Sequence, residues 1–164
     1  DTIMAIKVGD RLPAGKFGIM SKDGPGSIST EELFGGKKVV FFSVPGAFTP
    51  TCHLKHLPGF LDNADAFKKK GVHTVACVAV NDPFVMQAWG ESQHVPPGLQ
   101  MLSDGNGEFT RALGLEMDAS AYGMGTRAKR FALYAEDGVV KQLHVEAPGE
   151  FRVSSADYVL DNLG

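Results

Sequence analysis

Apolar residues fall along the chain in short unbroken runs closed by turn residues, the pattern of strands buried on both faces. Lys38-Val39-Val40-Phe41-Phe42-Ser43-Val44, bounded by Pro45-Gly46, predicts the first such strand, with parallel neighbours. Val75-Ala76-Cys77-Val78-Ala79-Val80 predicts a second. Between them the period changes. Phe60, Leu61, Ala64 and Phe67 share one face opposite charged residues, so 52–70 reads as a helix. Pro58-Gly59 should kink or split it, leaving a first segment at about 52–57. Asp82-Pro83 supplies an N-cap and a proline at the first helical position, opening a helix through Trp89. Leu99 to Leu102 predicts a short strand and Gly107 to Leu113 a short helix. Phe131-Ala132-Leu133-Tyr134, Asp137-Gly138 and Val139 to Val145 predict a hairpin with suitable turn residues. Ser154-Ser155-Ala156-Asp157 caps a last helix with Val159, Leu160 and Leu163 inward. The polar start, residues 1–36, carries a hairpin turn at Asp23-Gly24-Pro25-Gly26.

The core order is strand, helix, strand, helix, strand, strand, helix, with parallel strands first and an antiparallel hairpin last. That is a thioredoxin-like α/β arrangement: a central mixed sheet, flanking helices and an N-terminal hairpin extension. No repeat, low-complexity tract or linker divides the 164 residues, so 1–164 reads as one domain.

Composition narrows the class. Hydrophobic residues at 43% and charged residues at 21% suit a soluble globular protein, and no apolar run is long enough to span a bilayer. A net charge of −3 lacks the basic field that nucleic acid requires. Lys68-Lys69-Lys70 falls at a helix end before Gly71, where the helix dipole favours solvated cations. Residues 1–4 lack the basic and apolar regions of a secretory leader. Two cysteines, Cys52 and Cys77, without a C-x-x-C, are too few for a disulfide framework or a structural zinc site. A reducing, cytoplasmic setting is expected, or an organellar matrix if a transit segment has been removed.

The chemistry concentrates in Pro45-Gly46-Ala47-Phe48-Thr49-Pro50-Thr51-Cys52, which leaves a strand at its carboxyl end and enters a helix. A cysteine in a first helical turn meets unpaired backbone N–H groups and the positive end of the dipole, and both favour thiolate over thiol. Two prolines and an aromatic stiffen and shelter the turn. Thr49 places a hydroxyl three residues upstream, within reach of a polar substrate atom.

Pro45-x-x-x-Thr49-x-x-Cys52 resembles the P-x-x-x-T-x-x-C motif of peroxiredoxins, and PGAFTPTC followed by HLPGF at 56–60 resembles the type II (peroxiredoxin 5) group. Val80-Asn81-Asp82-Pro83-Phe84-Val85-Met86 with Trp89, and Gly125-Thr126-Arg127-Ala128-Lys129-Arg130-Phe131, are similar to further segments of that group. The resemblance implies a thiol peroxidase that reduces hydrogen peroxide and small alkyl hydroperoxides. In it Cys52 attacks the peroxide and becomes a sulfenic acid, Thr49 hydrogen-bonds the peroxide, Arg127 steadies the thiolate, and Pro45 closes one wall. His56 and Arg130 take supporting roles, Arg130 alternatively serving an acidic neighbour. No metal or organic cofactor is implied. Cys52 and His56 are one helical turn apart, but a zinc site lacks further ligands.

Two readings of Cys77 stay open. Its 25-residue spacing from Cys52 matches plant type II relatives, in which it would resolve the sulfenic acid as a disulfide. Alternatively it is a small hydrophobe inside a strand. Three residues before Val80, it should lie about 10 Å below the strand's carboxyl edge, beyond the reach of about 7 Å between Cα atoms that a disulfide allows. The reductant is then an external thiol, glutathione with glutaredoxin or thioredoxin. The family resemblance around 82–89 implies a noncovalent homodimer. The competing functions are a thiol-disulfide oxidoreductase on the same fold, which lacks its second cysteine because Thr49 stands there, and a non-enzymatic redox-binding module.

Overall fold

β1 (Lys16–Ser21) and β2 (Gly24–Ser29) form the N-terminal hairpin, and α1 (Thr30–Phe34) leads into β3 (Lys38–Ser43) in a computed structural model that describes residues 5–163. The leader reading at residues 1–4 thus lies outside the described residues. The hairpin reverses at Lys22 and Asp23, ahead of the turn expected at 23–26. Pro25 and Gly26 instead pair with Met20 and Ile19. β2 is the sheet's outer strand, so the missing proline N–H breaks no inner ladder.

After β3 the chain passes through a π-helical turn (Cys52–His56) into α2 (Leu57–Asp62) and α3 (Ala64–Lys69). Sequence placed the irregularity at Pro58-Gly59, but it sits just upstream and again at Asn63. Pro58 has no N–H to offer the preceding turn. The backbone instead takes the wider ring, with Leu57 N donating to the Cys52 carbonyl. Beyond Asn63, β4 (Thr74–Ala79), β5 (Leu99–Ser103) and α5 (Glu108–Leu113) follow as expected within a residue, and α4 (Pro83–Ser92) starts as expected but runs three residues past Trp89. Asp82 caps α4 by accepting from Val85 N at 2.8 Å. β6 (Glu116–Asp118) and β7 (Thr126–Ala128) make a separate two-stranded ribbon. β8 (Phe131–Glu136), β9 (Val139–Val145) and α6 (Ala156–Asn162), capped by Ser155, complete the chain.

The main sheet runs β2-β1-β5-β4-β3-β8-β9. β3, β4 and β5 are parallel, and β8 pairs antiparallel with β3. Alternate residues of the central strands feed two separate apolar layers. Val40, Phe42, Val44, Val75, Cys77 and Ala79 face α2, α3, α4 and α6 in one layer. Val39, Phe41, Ala76 and Val78 face Phe17, Phe34 and Phe109 in the other. In the first layer Phe42 stacks on Phe60, with centroids 3.9 Å apart, and Phe60 on Phe67. This pins α2 and α3 over β3, and so fixes the start of the helix that carries Cys52.

Candidate active site

The segment leaving β3 is held from three sides. Thr49 Oγ1 donates to the Gly46 carbonyl at 2.6 Å, Thr49 N reaches the same oxygen at 3.3 Å, and Ala47 N donates to Asn81 Oδ1 at 2.9 Å. Phe48 takes a φ of +65°, a left-handed conformation rare for an aromatic residue. Gly46 admits no larger residue without displacement. A Cβ there would stand 3.1 Å from Met124 Cε, 3.1 Å from Thr49 Cγ2 and 3.2 Å from Arg127 Nη1. With its own proton committed to Gly46, the Thr49 hydroxyl has only acceptor capacity left for a ligand.

Helical backbone begins at Pro50, which puts Cys52 in the first turn as sequence suggested, and its side chain is fully buried. The arginine beside its sulfur is not the one expected. Arg130 Nη2 donates to Cys52 Sγ at 3.1 Å. Arg127 instead donates through Nε to the Met124 carbonyl at 2.8 Å and through Nη1 to the Pro45 carbonyl at 3.4 Å. It braces the wall of the loop. The expectation had Arg127 entering just before the hairpin strand beside β3, and that strand, β8, does pair with β3, but Arg127 itself lies in β7, which pairs with β6. The strand beside β3 is β8, whose Phe131 pairs with Ser43. Phe131 faces one layer and Ala132 the layer of Cys52, so side-chain alternation turns Arg130 toward the cysteine.

Arg130 is itself oriented. Nη1 donates to His56 Nδ1 at 2.9 Å, which leaves the His56 Nε2–H to donate to the Ser154 carbonyl at 2.9 Å. Burial, reinforced by the Arg130 charge and only partly opposed by the Ser154 bond, pushes the His56 pKa down to about 3. The ring is therefore neutral, as an acceptor from arginine must be. Phe151 closes the group, 5.8 Å from the guanidinium carbon and edge-on to His56 at 5.0 Å. Ser154 was read in the sequence as helix capping alone, and nothing local marks its carbonyl for this role.

On the other side, the Trp89 indole N–H donates to His53 Nδ1 at 3.0 Å, and Phe48 stacks on the His53 ring at 5.9 Å. Phe48 and Phe84 are both exposed. Both ring nitrogens of His56 are engaged by protein groups. No cluster of three or more His, Cys, Asp or Glu suited to a metal occurs among the described residues.

Cys77 lies mid-strand in β4, opposite Phe42, fully buried in the same apolar layer as Cys52. Both thiols are free. Burial, with the Cys52 sulfur adding and Arg130 opposing, raises the Cys77 pKa well above its ordinary value, so it stays a protonated thiol. The structure therefore joins Cys52, Arg130 and His56 by direct hydrogen bonds, fixes Thr49 on the loop that Arg127 braces at Pro45, and leaves Cys77 buried within β4.

Residues 7–160 match the Redoxin family. The chain is 47% identical over 159 residues to Peroxiredoxin-2B of Arabidopsis thaliana, covering 96% of this chain and 98% of the relative. It is 49% identical over 166 residues to the chloroplastic Peroxiredoxin-2E-2 of Oryza sativa subsp. japonica, covering 98% of this chain and 74% of the relative. Among solved structures, reduced Prx3 of Vibrio vulnificus in complex with hydrogen peroxide superposes with a TM-score of 0.93 at 49% identity, covering 97% of this chain and 99% of the other.

Proposed function

The chain belongs to the peroxiredoxins, thiol peroxidases of the Redoxin family, and on that premise we propose that it reduces hydrogen peroxide and small alkyl hydroperoxides at Cys52, with an external thiol as reductant. The observation that carries this reading is the Arg130 hydrogen bond to a fully buried Cys52 sulfur, with the Thr49 hydroxyl fixed three residues away.

The cysteine thiolate attacks one peroxide oxygen. The S–O bond forms as the O–O bond breaks, and the departing oxygen takes the electron pair and then, from water, the equivalent of the proton that the thiol lost on ionising, to leave as water or alcohol. Charge moves from sulfur to that oxygen during the step. Donors fixed across both atoms therefore stabilise the transition state more than the ground state. Arg130, bonded to the sulfur through Nη2, is the donor we assign to both atoms, meeting the charge as it passes to the departing oxygen, while Thr49 accepts from the peroxide O–H and aligns it. One equivalent of thiol then converts the sulfenic acid to a mixed disulfide and water, and a second releases Cys52 as a thiol with a disulfide product. The exposed rings of Phe48 and Phe84 suit a small alkyl group on the peroxide.

Glutathione with glutaredoxin, or thioredoxin, is the reductant we assign, because a protonated Cys77 deep in β4 is a poor partner for the sulfenic acid. Stopped-flow oxidation by hydrogen peroxide and by tert-butyl hydroperoxide tests the chemistry, and reduction assays with each thiol system then identify the donor. Slow oxidation of Cys52, like that of a free thiol, would overturn the assignment. Insulin reduction without peroxide would favour the oxidoreductase alternative.

A noncovalent homodimer through the edge around Phe84, 60% exposed, is part of the same proposal. Sedimentation showing only a 17.5 kDa species at high micromolar concentration would overturn it. The cytoplasm is the compartment we assign from the unpaired cysteines, while relatives named chloroplastic and mitochondrial are 49% and 41% identical to this chain. Cell fractionation decides between them. Among the described residues no helix is long and apolar enough to cross a membrane.

A further inference from the structure

Glu146 follows the last strand residue of β9, Val145, and is almost wholly buried at 7% exposure, unusual for a carboxylate with no cation bonded to it. One of its oxygens, Oε2, accepts four hydrogen bonds: from the backbone N–H groups of Arg152, Val153 and Ser154, each at 2.8 Å, and from Ser154 Oγ at 2.7 Å. Its own N–H donates to the Arg130 carbonyl at 3.0 Å. Burial works against the charged form, but these donors outweigh it and lower the Glu146 pKa, so the group is an anion.

The arrangement is more than a loop anchor. The residue gathered most tightly is Ser154, which offers its N–H and hydroxyl to Glu146 and its carbonyl to the His56 Nε2–H. A fixed carbonyl at that nitrogen holds the ring proton on Nε2 and leaves Nδ1 as an acceptor. Nδ1 in turn receives Arg130 Nη1, and the rigid guanidinium plane then aims Nη2 at the Cys52 sulfur. We propose that Glu146 is a positioning residue for peroxide reduction, acting through Ser154 and His56 to hold Arg130 in register with the reacting sulfur. The proposal rests on Cys52 as the peroxidatic cysteine and adds a source of preorganisation outside the motif.

The test measures Cys52 oxidation by hydrogen peroxide through the fluorescence of Trp89, the single tryptophan, which bonds the histidine next to Cys52. Glu146→Gln keeps the shape and removes the charge. Its second-order rate constant should fall about tenfold, as expected when a reacting group is loosely held. In a His56→Leu background, which already lacks the acceptor, the same substitution should change the rate less than twofold. Nitrogen-15 NMR of His56 should show a single Nε2–H tautomer in the wild type and mixed tautomers in Glu146→Gln. Ser154→Ala removes one donor only and should lose about threefold in rate if the relay operates. It serves as the variant should Glu146→Gln fold poorly. A Glu146→Gln or Ser154→Ala rate within twofold of wild type, or an equal fold-loss with and without His56, would overturn the relay. The wild-type rate alone judges the peroxidase reading, so the two failures are separable.

Discussion

Arg130 Nη2 lies 3.1 Å from Cys52 Sγ, although the two residues are 78 positions apart, one in the helical turn that follows β3 and the other just before β8. β3 and β8 bring them together by pairing Ser43 with Phe131, the last residue of one strand with the first of the other.

The two arginines of the 125–131 segment should therefore separate cleanly. Arg130→Ala removes the donor at sulfur and should lower the rate constant for peroxide by about 10²–10³, the range for loss of a transition-state donor. Arg130→Lys should recover little, because a point charge cannot bond the sulfur and His56 together. Arg127→Ala should cost less than about tenfold, through a looser loop wall. Stopped-flow rates for the three variants check the order, and a larger loss at Arg127 would reverse the assignment.

Thr49→Val should reduce peroxide turnover by about 100-fold, since it removes both the bond to Gly46 and the acceptor for the peroxide proton. Thr49→Ser retains both and should stay within about fivefold of wild type. Single-turnover oxidation measures the difference.

Cys77→Ala should leave turnover with glutathione and glutaredoxin within twofold of wild type. It should cost about 1 kcal/mol of stability from the small void left in a packed layer. Coupled peroxidase assays and denaturant unfolding report the two quantities. Abolished turnover would restore Cys77 as the resolving cysteine.

His56 predicts an acid-sensitive fold. Its pKa is about 3 when folded against an ordinary 6.5 when unfolded, so between these values the unfolded chain binds a proton that the folded one refuses. Stability from this group is intact above pH 6.5 and declines as pH falls toward 3, at up to about 1.4 kcal/mol per pH unit. Denaturant unfolding at pH 7, 6 and 5 should show this slope in the wild type and its loss in His56→Gln.

The apolar runs at 38–44 and 75–80 made the central strands legible, because strands buried on both faces leave few alternatives. The motif from Pro45 to Cys52 made the loop legible for the same local reason. Arg130 was harder. Three cations stand within four residues at 127–130, and only knowing which neighbour pairs with β3 tells them apart. Carrying the alternation of Phe131 and Ala132 back one residue would have favoured Arg130. Ser154 had no such cue, since its carbonyl meets His56, 98 residues earlier, and Glu146 had none because its partners are mostly backbone N–H groups of the loop at 152–154, which any sequence carries.

The split of the interior into two layers sets separate fates for substitutions. Phe17, Phe34, Phe41 and Phe109 pack behind the sheet, away from the helix that bears the nucleophile. Their side chains form an independent reservoir for engineering heat tolerance. Repacking them should move the melting temperature up or down while catalytic constants at 25 °C hold still, whereas changes around Phe42, Phe60 and Phe67 should move both together.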